Sequence, residues 1–253
     1  MIVLEVGINH FGKLSEANYY LNFFLKSNFK YLTFQIQSKE FYNKFDNKIN
    51  FKLPLKFYSD AIKKVKKKNK KLGLAVCDVS TFKEYEHLNF DFYKLLGVAI
   101  NNTKLISILS LKKKKVFISL ARGSDSNIID CLNAFKSKDK LNLIYTSMSY
   151  KSKDLNLNRI NYLKKRFKIP VGYGHHYNND LPLLLAKYCN PAFIFFYIKK
   201  NFLNKKITFP DDQHAFFLEK LDSLNKKLNE VEIFANNNTI NTTIKLNDKK
   251  IQF

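Results

Sequence analysis

The chain has 253 residues, 45% of them hydrophobic, and a formal net charge of +23. This length suits one barrel-type domain or two small ones, and the apolar fraction is large enough for a sizeable core. No apolar run approaches the ~18 residues that a membrane-spanning helix needs, so the composition argues against a helical membrane protein.

The positive charge raises the question of nucleic-acid binding. Nearly all of it is lysine; the only arginines are Arg122, Arg159 and Arg166. Arginine is the preferred residue for bidentate recognition of phosphates and bases. The densest run, KKVKKKNKK at 63–71, closes an amphipathic helix and is typical of a solvated face. Nucleic-acid binding is therefore the less favoured interpretation.

The cysteines and the first residues of the chain indicate the cellular compartment of the protein. Cys77, Cys131 and Cys189 are widely spaced and lie in apolar stretches, which predicts buried thiols rather than disulfides or a zinc finger. The opening residues run at once into the acidic Glu5 and do not resemble a signal peptide. We expect a cytoplasmic protein that does not bind membranes.

Short β-branched or aromatic runs alternate with longer helical patterns along the chain. The predicted strands are Ile2–Asn9, Tyr31–Gln37, Gly73–Val79, Phe92–Gly97, Lys115–Ala121, Leu141–Met148, Val171–His175 and Ala192–Ile198. The predicted helices are 15–28 with Ser15 as N-cap, 54–70, one from Thr81, 103–111, one capped by Ser124 or Asp125, 156–167, 181–189 and 212–228. The connection 38–53 is polar and aromatic.

Eight strands, each followed by a helix, have the spacing of right-handed βαβ units. A closed (β/α)8 TIM barrel over residues 1–230 is the simplest fold. An open doubly wound sheet is the alternative, but its glycine-rich first turn is missing. Residues 231–253 are rich in asparagine and threonine and predict a polar tail or a small hairpin rather than another domain.

Polar residues gather where the predicted strands end, which in such a barrel is where reactive groups lie. They are Glu5, Asn9, His10, Gln35, Asp78, Lys94, Asn101, Asn102, Ser119, Ser147, Tyr150, His175, His176, Lys199 and Lys200. Each has a structural alternative: Glu5 balances Lys94 inside the barrel, and Asp78 caps a helix. Their joint placement predicts one binding site at the carboxyl-terminal end of the barrel, its mouth, for an anionic or polyhydroxylated small molecule.

Several segments resemble, in order, the N-acetylneuraminate (sialic acid) synthase family. LEVGINHFG is similar to the opening strand of that family, and FQIQ to its second strand. AVCDVSTFKEYEHLNFDFYKLL, FISLARGSDSNIIDCL and VGYGHHY are similar to later segments, and DDQHAF is weakly similar to another. The resemblance runs from Ile2 to about Leu228 and implies a barrel enzyme.

The resemblance implies a specific reaction. Members of the family condense phosphoenolpyruvate with N-acetylmannosamine or a related amino sugar, giving a nine-carbon 2-keto acid for surface polysaccharides. A divalent metal, commonly Mn²⁺, polarises the sugar aldehyde. Together with the positions at strand ends, the resemblance makes the catalytic candidates Glu5, Asp78, Lys94 and Tyr150. The substrate-binding candidates are Asn9, His10, Gln35, Asn101, Ser119 and Ser147. His176 is the first metal candidate, ahead of His10, His175 and His214.

The chain also departs from the family pattern. A strand-two lysine is replaced by Thr33, a serine by Gly97 and an asparagine by Met148. On strand eight, Tyr197 stands where the family has a second metal-binding histidine. We expect a divergent synthase or, alternatively, a barrel that binds a sugar or anion without turnover. The family pairs partly through a C-terminal antifreeze-like domain that the sequence does not show, so homodimerisation is left open.

Overall fold

The computed structural model describes residues 1–45, 51–135, 138–201 and 208–236. Eight parallel strands follow one another around a ring, and the first pairs with the eighth, which closes it. The predicted (β/α)8 barrel is therefore confirmed. The strands are β1 Ile2–Gly7, β2 Tyr31–Gln35, β3 Lys71–Val76, β4 Phe92–Leu95, β5 Lys115–Ser119, β6 Leu141–Tyr145, β7 Val171–His175 and β8 Ile194–Lys199, with the short β9 Phe216–Phe217 paired outside the ring to β8.

Helices separate these strands along the chain. Within the described residues they are α1 Leu14–Lys26, α2 Lys39–Phe45, α3 Leu55–Lys67, α4 Val79–Tyr85, α5 Thr103–Ser110, α6 Asp125–Ala134, α7 Asn158–Phe167, α8 Leu181–Tyr188 and α9 Leu221–Asn236, with short 3-10 turns between some of them. The largest apolar cluster includes buried residues of both strands and helices.

The barrel interior is closed at its amino-terminal end by a separate aromatic cluster. Phe92, Phe117, Phe193 and Phe195 form it with Val3 and Ile144. Gly73 makes room for one of these rings, because a Cβ there would lie 2.1 Å from the ring of Phe92. Side chains alternate between the two faces of a strand. The residues two positions further along β1, β4 and β8, namely Glu5, Lys94 and Tyr197, therefore lie above this cluster toward the carboxyl-terminal mouth.

Lys70 anchors α1 from the loop before β3. Its side chain is buried, and its ammonium donates hydrogen bonds to the carbonyls of Phe24, Ser27 and Phe29 at 2.7, 2.5 and 2.7 Å. The last four carbonyls of a helix have no intrahelical donor, and a buried lysine supplies one here. This residue of the basic run 63–71 is therefore structural rather than solvated.

Several predicted boundaries differ from the observed ones. Lys13, not Ser15, occupies the N-cap position of α1, and it makes no capping bond through its side chain. The connection 38–53 contains α2; its residues 46–50 lie outside the described part of the chain. The last helix was predicted at 212–228, but residues 210–214 form turns, β9 and a 3-10 turn follow, and α9 begins at Leu221.

The predicted tail overlaps α9. That helix continues to Asn236, six residues past the predicted end of the barrel domain at 230. Residues 237–253, where a hairpin was considered, lie outside the described residues. Among the residues that are described, no helix is long and apolar enough to cross a membrane. Cys131 is buried, Cys77 and Cys189 are half-buried, and all three are free thiols.

Candidate active site

A buried ion pair crosses the barrel mouth. The ammonium of Lys94 on β4 donates to Oε1 of Glu5 on β1 at 2.5 Å, and both side chains are almost fully buried. The same ammonium lies 5.3 Å from the ring centroid of Phe195 and 5.6 Å from that of Tyr197. Both rings belong to β8, and they shield the ion pair on that side of the barrel.

Glu5 retains an unused acceptor. Its Oε2 is buried and makes no hydrogen bond within the described residues. Burial raises the pKa of Glu5, although the charge of Lys94 and the hydrogen bond from it act in the opposite direction. A buried polar atom without a partner is costly, so this oxygen is suited to accept a hydrogen bond from a bound ligand.

Two histidines lie stacked beside the ion pair. The ring centroids of His176, just after β7, and His214, in the loop before β9, are 4.3 Å apart with planes 16° from parallel. Tyr197 meets both rings edge-on at 5.2 and 5.1 Å. The hydroxyl of Tyr150 lies 3.0 Å from Nδ1 of His214. Segments after strands six, seven and eight thus meet at one place.

Both rings are neutral at pH 7. Burial lowers the pKa of His214 to about 4, helped by the charges of Lys94 and Lys199. Burial also holds the pKa of His176 well below its usual value, and the neighbouring His214 and Lys94 lower it further. Nδ1 of His176 and Nε2 of His214 are buried without hydrogen-bond partners among the described residues. Neutral imidazoles can accept or donate one hydrogen bond at each such nitrogen, depending on the tautomer.

Asp211 belongs to the same cluster, and the sequence interpretation missed it. Its carboxylate Oδ1 lies 3.7 Å from Nε2 of His214. A Cβ placed on Gly7 would lie 2.6 Å both from Oδ2 of Asp211 and from the ring of Tyr197. Gly7 has φ +56°, so it is suited to this close approach. The run DDQH was noted in the sequence, but only its histidine was selected.

Burial and, to a smaller extent, the nearby negative charge of Glu5 raise the pKa of Asp211 to about 7, while Lys94 opposes the shift. Such a carboxyl group is about half protonated at neutral pH. It can both donate and accept a proton there, which is what general acid–base catalysis needs.

Asn9 and His10 are both fully buried, and their visible bonds are structural. Asn9 donates to the carbonyl of Ile198 at 3.0 Å and accepts from the backbone of Asp211 at 3.2 Å. It thereby ties the end of β1 to the segment that carries Asp211. Nδ1 of His10 accepts from the backbone of Gly12 at 2.9 Å, and burial lowers the pKa of His10 to about 3.

The other substrate-binding candidates lie around the rim. Ser119 is buried at the end of β5, Gln35 is half-buried at the end of β2, and Asn101 is exposed and accepts from Asn127 at 2.7 Å. Ser147 lines a cavity of about 550 Å³ above β5 and β6, together with Arg159. These four do not join the cluster formed by Glu5, Lys94, His176 and His214 through any hydrogen bond seen among the described residues.

Asp78 has the capping role that the sequence offered as its alternative. It is the N-cap of α4 and accepts from the backbone and hydroxyl of Thr81 at 2.8 and 2.9 Å and from Ser80 at 2.5 Å. Partial burial would raise its pKa, but these hydrogen bonds lower it overall. All these donors are local, so its visible role is to start a helix.

His175 faces the helices rather than the barrel interior. Its ring stacks on Phe216 at 5.1 Å, and burial lowers its pKa to about 4. Of the adjacent pair, His176 alone therefore contacts the stacked cluster. The departure at Gly97 also has a steric basis, because a side chain there would bring its Cβ to 2.8 Å from that of Ala121.

The implied divalent metal does not fit these residues as they are arranged. The described residues contain no group of three or more His, Cys, Asp or Glu that could hold a metal ion. The ring centroids of His176 and His214 are 4.3 Å apart, so an ion midway between them would lie about one metal–nitrogen bond length from each ring face. The nitrogen lone pairs lie in the ring planes and do not point at that position. The two stacked imidazoles therefore cannot both bind one ion there. Tyr197 offers no substitute ligand, because burial keeps the pKa of its hydroxyl well above 10.

The fold and this mouth define a class of protein: a (β/α)8 barrel whose acidic, basic and imidazole side chains converge at the carboxyl ends of the strands, as in barrel enzymes. A family model described as the NeuB family matches residues 18–239. Since this match spans most of the chain, the chain belongs to the NeuB family.

Known proteins agree with this assignment. The chain is 22% identical over 258 residues to an N,N'-diacetyllegionaminic acid synthase of Campylobacter jejuni, covering 92% of this chain and 76% of that protein. An N-acetylneuraminic acid synthetase from Leptospira borgpetersenii, crystallised with citrate, has a TM-score of 0.84 at 20% identity over 96% of this chain and 87% of that one. A spore coat polysaccharide biosynthesis protein from Bacillus subtilis has a TM-score of 0.78 at 16% identity, covering 92% and 68%.

Proposed function

We propose that this protein condenses phosphoenolpyruvate with an N-acetylmannosamine-like amino sugar to form a nonulosonic acid. The observation that carries the proposal is the Glu5–Lys94 pair, which lies next to His176, His214 and Asp211 at the open end of a NeuB-family barrel. Each of these residues lies on or just after a barrel strand or on the segment before β9, and together they offer a cation, two carboxyl groups and two neutral imidazoles.

The roles follow from the charges. Lys94 uses one of its three N–H groups on Glu5, so two remain for the anionic donor substrate. We assign the hydroxyl groups of the sugar to Oε2 of Glu5 and to the nitrogens of His176 and His214 that have no partner among the described residues. Asp211, with a pKa of about 7, is the residue suited to protonate the aldehyde oxygen as the vinyl carbon of phosphoenolpyruvate attacks the aldehyde carbon. Water then adds to the former enol carbon and phosphate leaves from it, which gives the 2-keto acid. Tyr150 then acts through His214, which it orients.

The stacked rings of His176 and His214 do not present a chelating pair, so His176 is not assigned as a ligand of Mn²⁺, the metal predicted from the sequence. Binding and proton transfer are assigned to the side chains alone.

The test is phosphate release from phosphoenolpyruvate in the presence of N-acetylmannosamine or a related amino sugar, with the 2-keto acid product identified by mass spectrometry. We expect turnover in wild type, and a loss of at least about a hundredfold in Asp211→Asn, which is the lower range of a general acid's contribution. Asp60→Asn, on α3, makes the same change away from the site and is the matched control. Equal activity of Asp211→Asn and wild type would reject the assignment.

The second candidate function is binding without turnover. It is favoured by Tyr197, whose ring occupies the mouth beside both histidines, and by Thr33, whose hydroxyl is used on the carbonyl of Phe34 at 3.1 Å and brings no positive charge. In that case phosphoenolpyruvate or the sugar raises the melting temperature by mass action. Neither phosphate nor product then appears across the panel of sugars.

A further inference from the structure

A second cavity lies at the opposite end of the barrel from the candidate active site. It has a volume of about 380 Å³, within the range of small-molecule sites. Tyr31, Lys71, Phe92 and Lys115, the first residues of β2, β3, β4 and β5, all line it. The cavity is therefore built on the amino-terminal ends of four neighbouring strands, which hold its walls in fixed positions.

The lining carries an excess of positive charge. Five lysines and two aspartates contribute to it: Lys71, Lys113, Lys114, Lys115, Lys140, Asp91 and Asp139. Lys71 pairs with Asp91 at 3.1 Å, and Lys140 with Asp139 at 3.0 Å. Asp91 also accepts from the backbone of Leu72 at 3.0 Å, so each of its two carboxylate oxygens has a partner.

Three of these lysines have no counter-charge among the described residues. Lys113 and Lys114 lie in the tight turn between α5 and β5, and Lys115 is the first residue of β5. No carboxylate of the described residues lies within ion-pair distance of any of them. Like charges on successive residues repel one another. A concave wall with a low-dielectric floor strengthens the resulting potential, and the buried rings of Phe92 and Phe117 form that floor. An anion in the cavity would relieve this repulsion.

We propose that this cavity binds a small anion with two or more phosphate charges, such as pyrophosphate or a nucleoside diphosphate. Lysine ammonium groups bind phosphates as point charges, and three uncompensated lysines match a polyvalent ligand better than a single carboxylate. The half-buried ring of Tyr31, which packs edge-on against Phe92 at 6.2 Å, lies at the edge where a nucleobase would extend. The small volume of the cavity favours a small ligand over a nucleic-acid strand.

The test is isothermal titration calorimetry of the full chain in the absence of substrates of the candidate active site. Pyrophosphate, adenosine diphosphate and a single-stranded oligonucleotide are the titrated ligands. The double variant Lys113→Gln with Lys114→Gln removes two charges from the cavity. Lys63→Gln with Lys64→Gln, both exposed on α3, removes the same charge elsewhere. We expect wild type and the α3 control to bind pyrophosphate equally, and the cavity variant to bind at least about tenfold more weakly. Binding should weaken as salt is raised.

Tighter binding of adenosine diphosphate than of pyrophosphate would support a nucleotide as the source of the phosphates, and equal affinity would support the phosphates alone. The proposal is overturned if the cavity variant binds as wild type does, if both double variants lose binding equally, or if the oligonucleotide binds and neither small anion does. Circular dichroism of each variant verifies that it is folded, so that a loss of binding reports on the cavity.

Discussion

His176 and His214 lie face to face, with ring centroids 4.3 Å apart and planes 16° from parallel. They come from different segments of the chain, one just after β7 and the other ahead of β9. Both rings are buried and neutral, because burial lowers the pKa of each. The pair therefore presents hydrogen-bonding nitrogens at the mouth rather than two nitrogens aimed at one ion.

This geometry predicts weak binding of Mn²⁺. We expect millimolar Mn²⁺ to leave the melting temperature of wild type unchanged. In Tyr197→His, by contrast, a third imidazole edge-on to the stack supplies an in-plane nitrogen near Asp211, and we expect the ion to raise the melting temperature by linkage. Tyr197→Phe is the control for lost hydroxyl and altered packing. Tight Mn²⁺ binding by wild type in an electron paramagnetic resonance titration, abolished in His176→Ala, would contradict the prediction.

Removing one member of the Glu5–Lys94 pair leaves the other charge buried. We expect Lys94→Met to lower the free energy of unfolding by about 3–5 kcal/mol, as is typical when a buried ion pair loses one partner. Urea denaturation measures the change.

The matching double variant, Glu5→Leu with Lys94→Met, removes both charges and should recover most of the lost stability. A double variant as unstable as the sum of the two single ones would mean that the pair is not energetically coupled. Such additivity would argue against the two residues acting as one unit in the mouth.

Lys70 offers a test away from the mouth. Its ammonium satisfies three carbonyls at the end of α1 and in the loop that follows. Hydrogen bonds to charged groups contribute about 1.5–3 kcal/mol each at most, with the desolvation of the lysine opposing them. We expect Lys70→Met to destabilise the fold by about 2 kcal/mol. Lys68→Met, which is exposed, should stay within the error of the measurement.

The sequence predicted the barrel because its signals are local and repeated. Strands starting at Ile2, Tyr31, Phe92, Lys115, Leu141 and Val171 were placed correctly. The predicted strand ends ran two or three residues too far in six of the eight strands, since polar residues such as Asn9 belong to the turns that carry the site. Asp211 and the histidine stack could not be predicted, because they depend on where the segment before β9 packs in three dimensions.

The buried histidines predict acid sensitivity. The pKa of His10 falls to about 3 and those of His175 and His214 to about 4, each mainly through burial. Between pH 6.5 and 4 the unfolded chain takes up protons at these positions and the folded chain does not. The free energy of unfolding therefore falls as the pH is lowered through this window.

The variant His175→Phe tests how much one of these histidines contributes to the pH dependence of the free energy of unfolding. Phenylalanine keeps the stacking on Phe216 but cannot be protonated. We expect the variant to lose less stability than wild type between pH 6.5 and 4, as followed by urea denaturation at several pH values. Curves that stay parallel over this window would show that His175 is protonated in the folded state.

Asp211 predicts the opposite trend over an overlapping pH range. Its pKa rises from 3.8 to about 7 in the folded chain, with burial as the main cause. Between these values the folded state keeps a proton that the unfolded state releases, so the stabilisation from this group is lost as the pH rises toward and past 7. Asp211→Asn has no proton to lose. Relative to wild type, it should become more stable as the pH rises from 4 to 8, by up to a few kcal/mol because each pKa unit corresponds to about 1.4 kcal/mol. Asp60→Asn, on α3, is the control for removing a carboxylate elsewhere. If the two variants change stability equally across this range, Asp211 titrates as an ordinary carboxyl group and its assigned role in proton transfer falls with it.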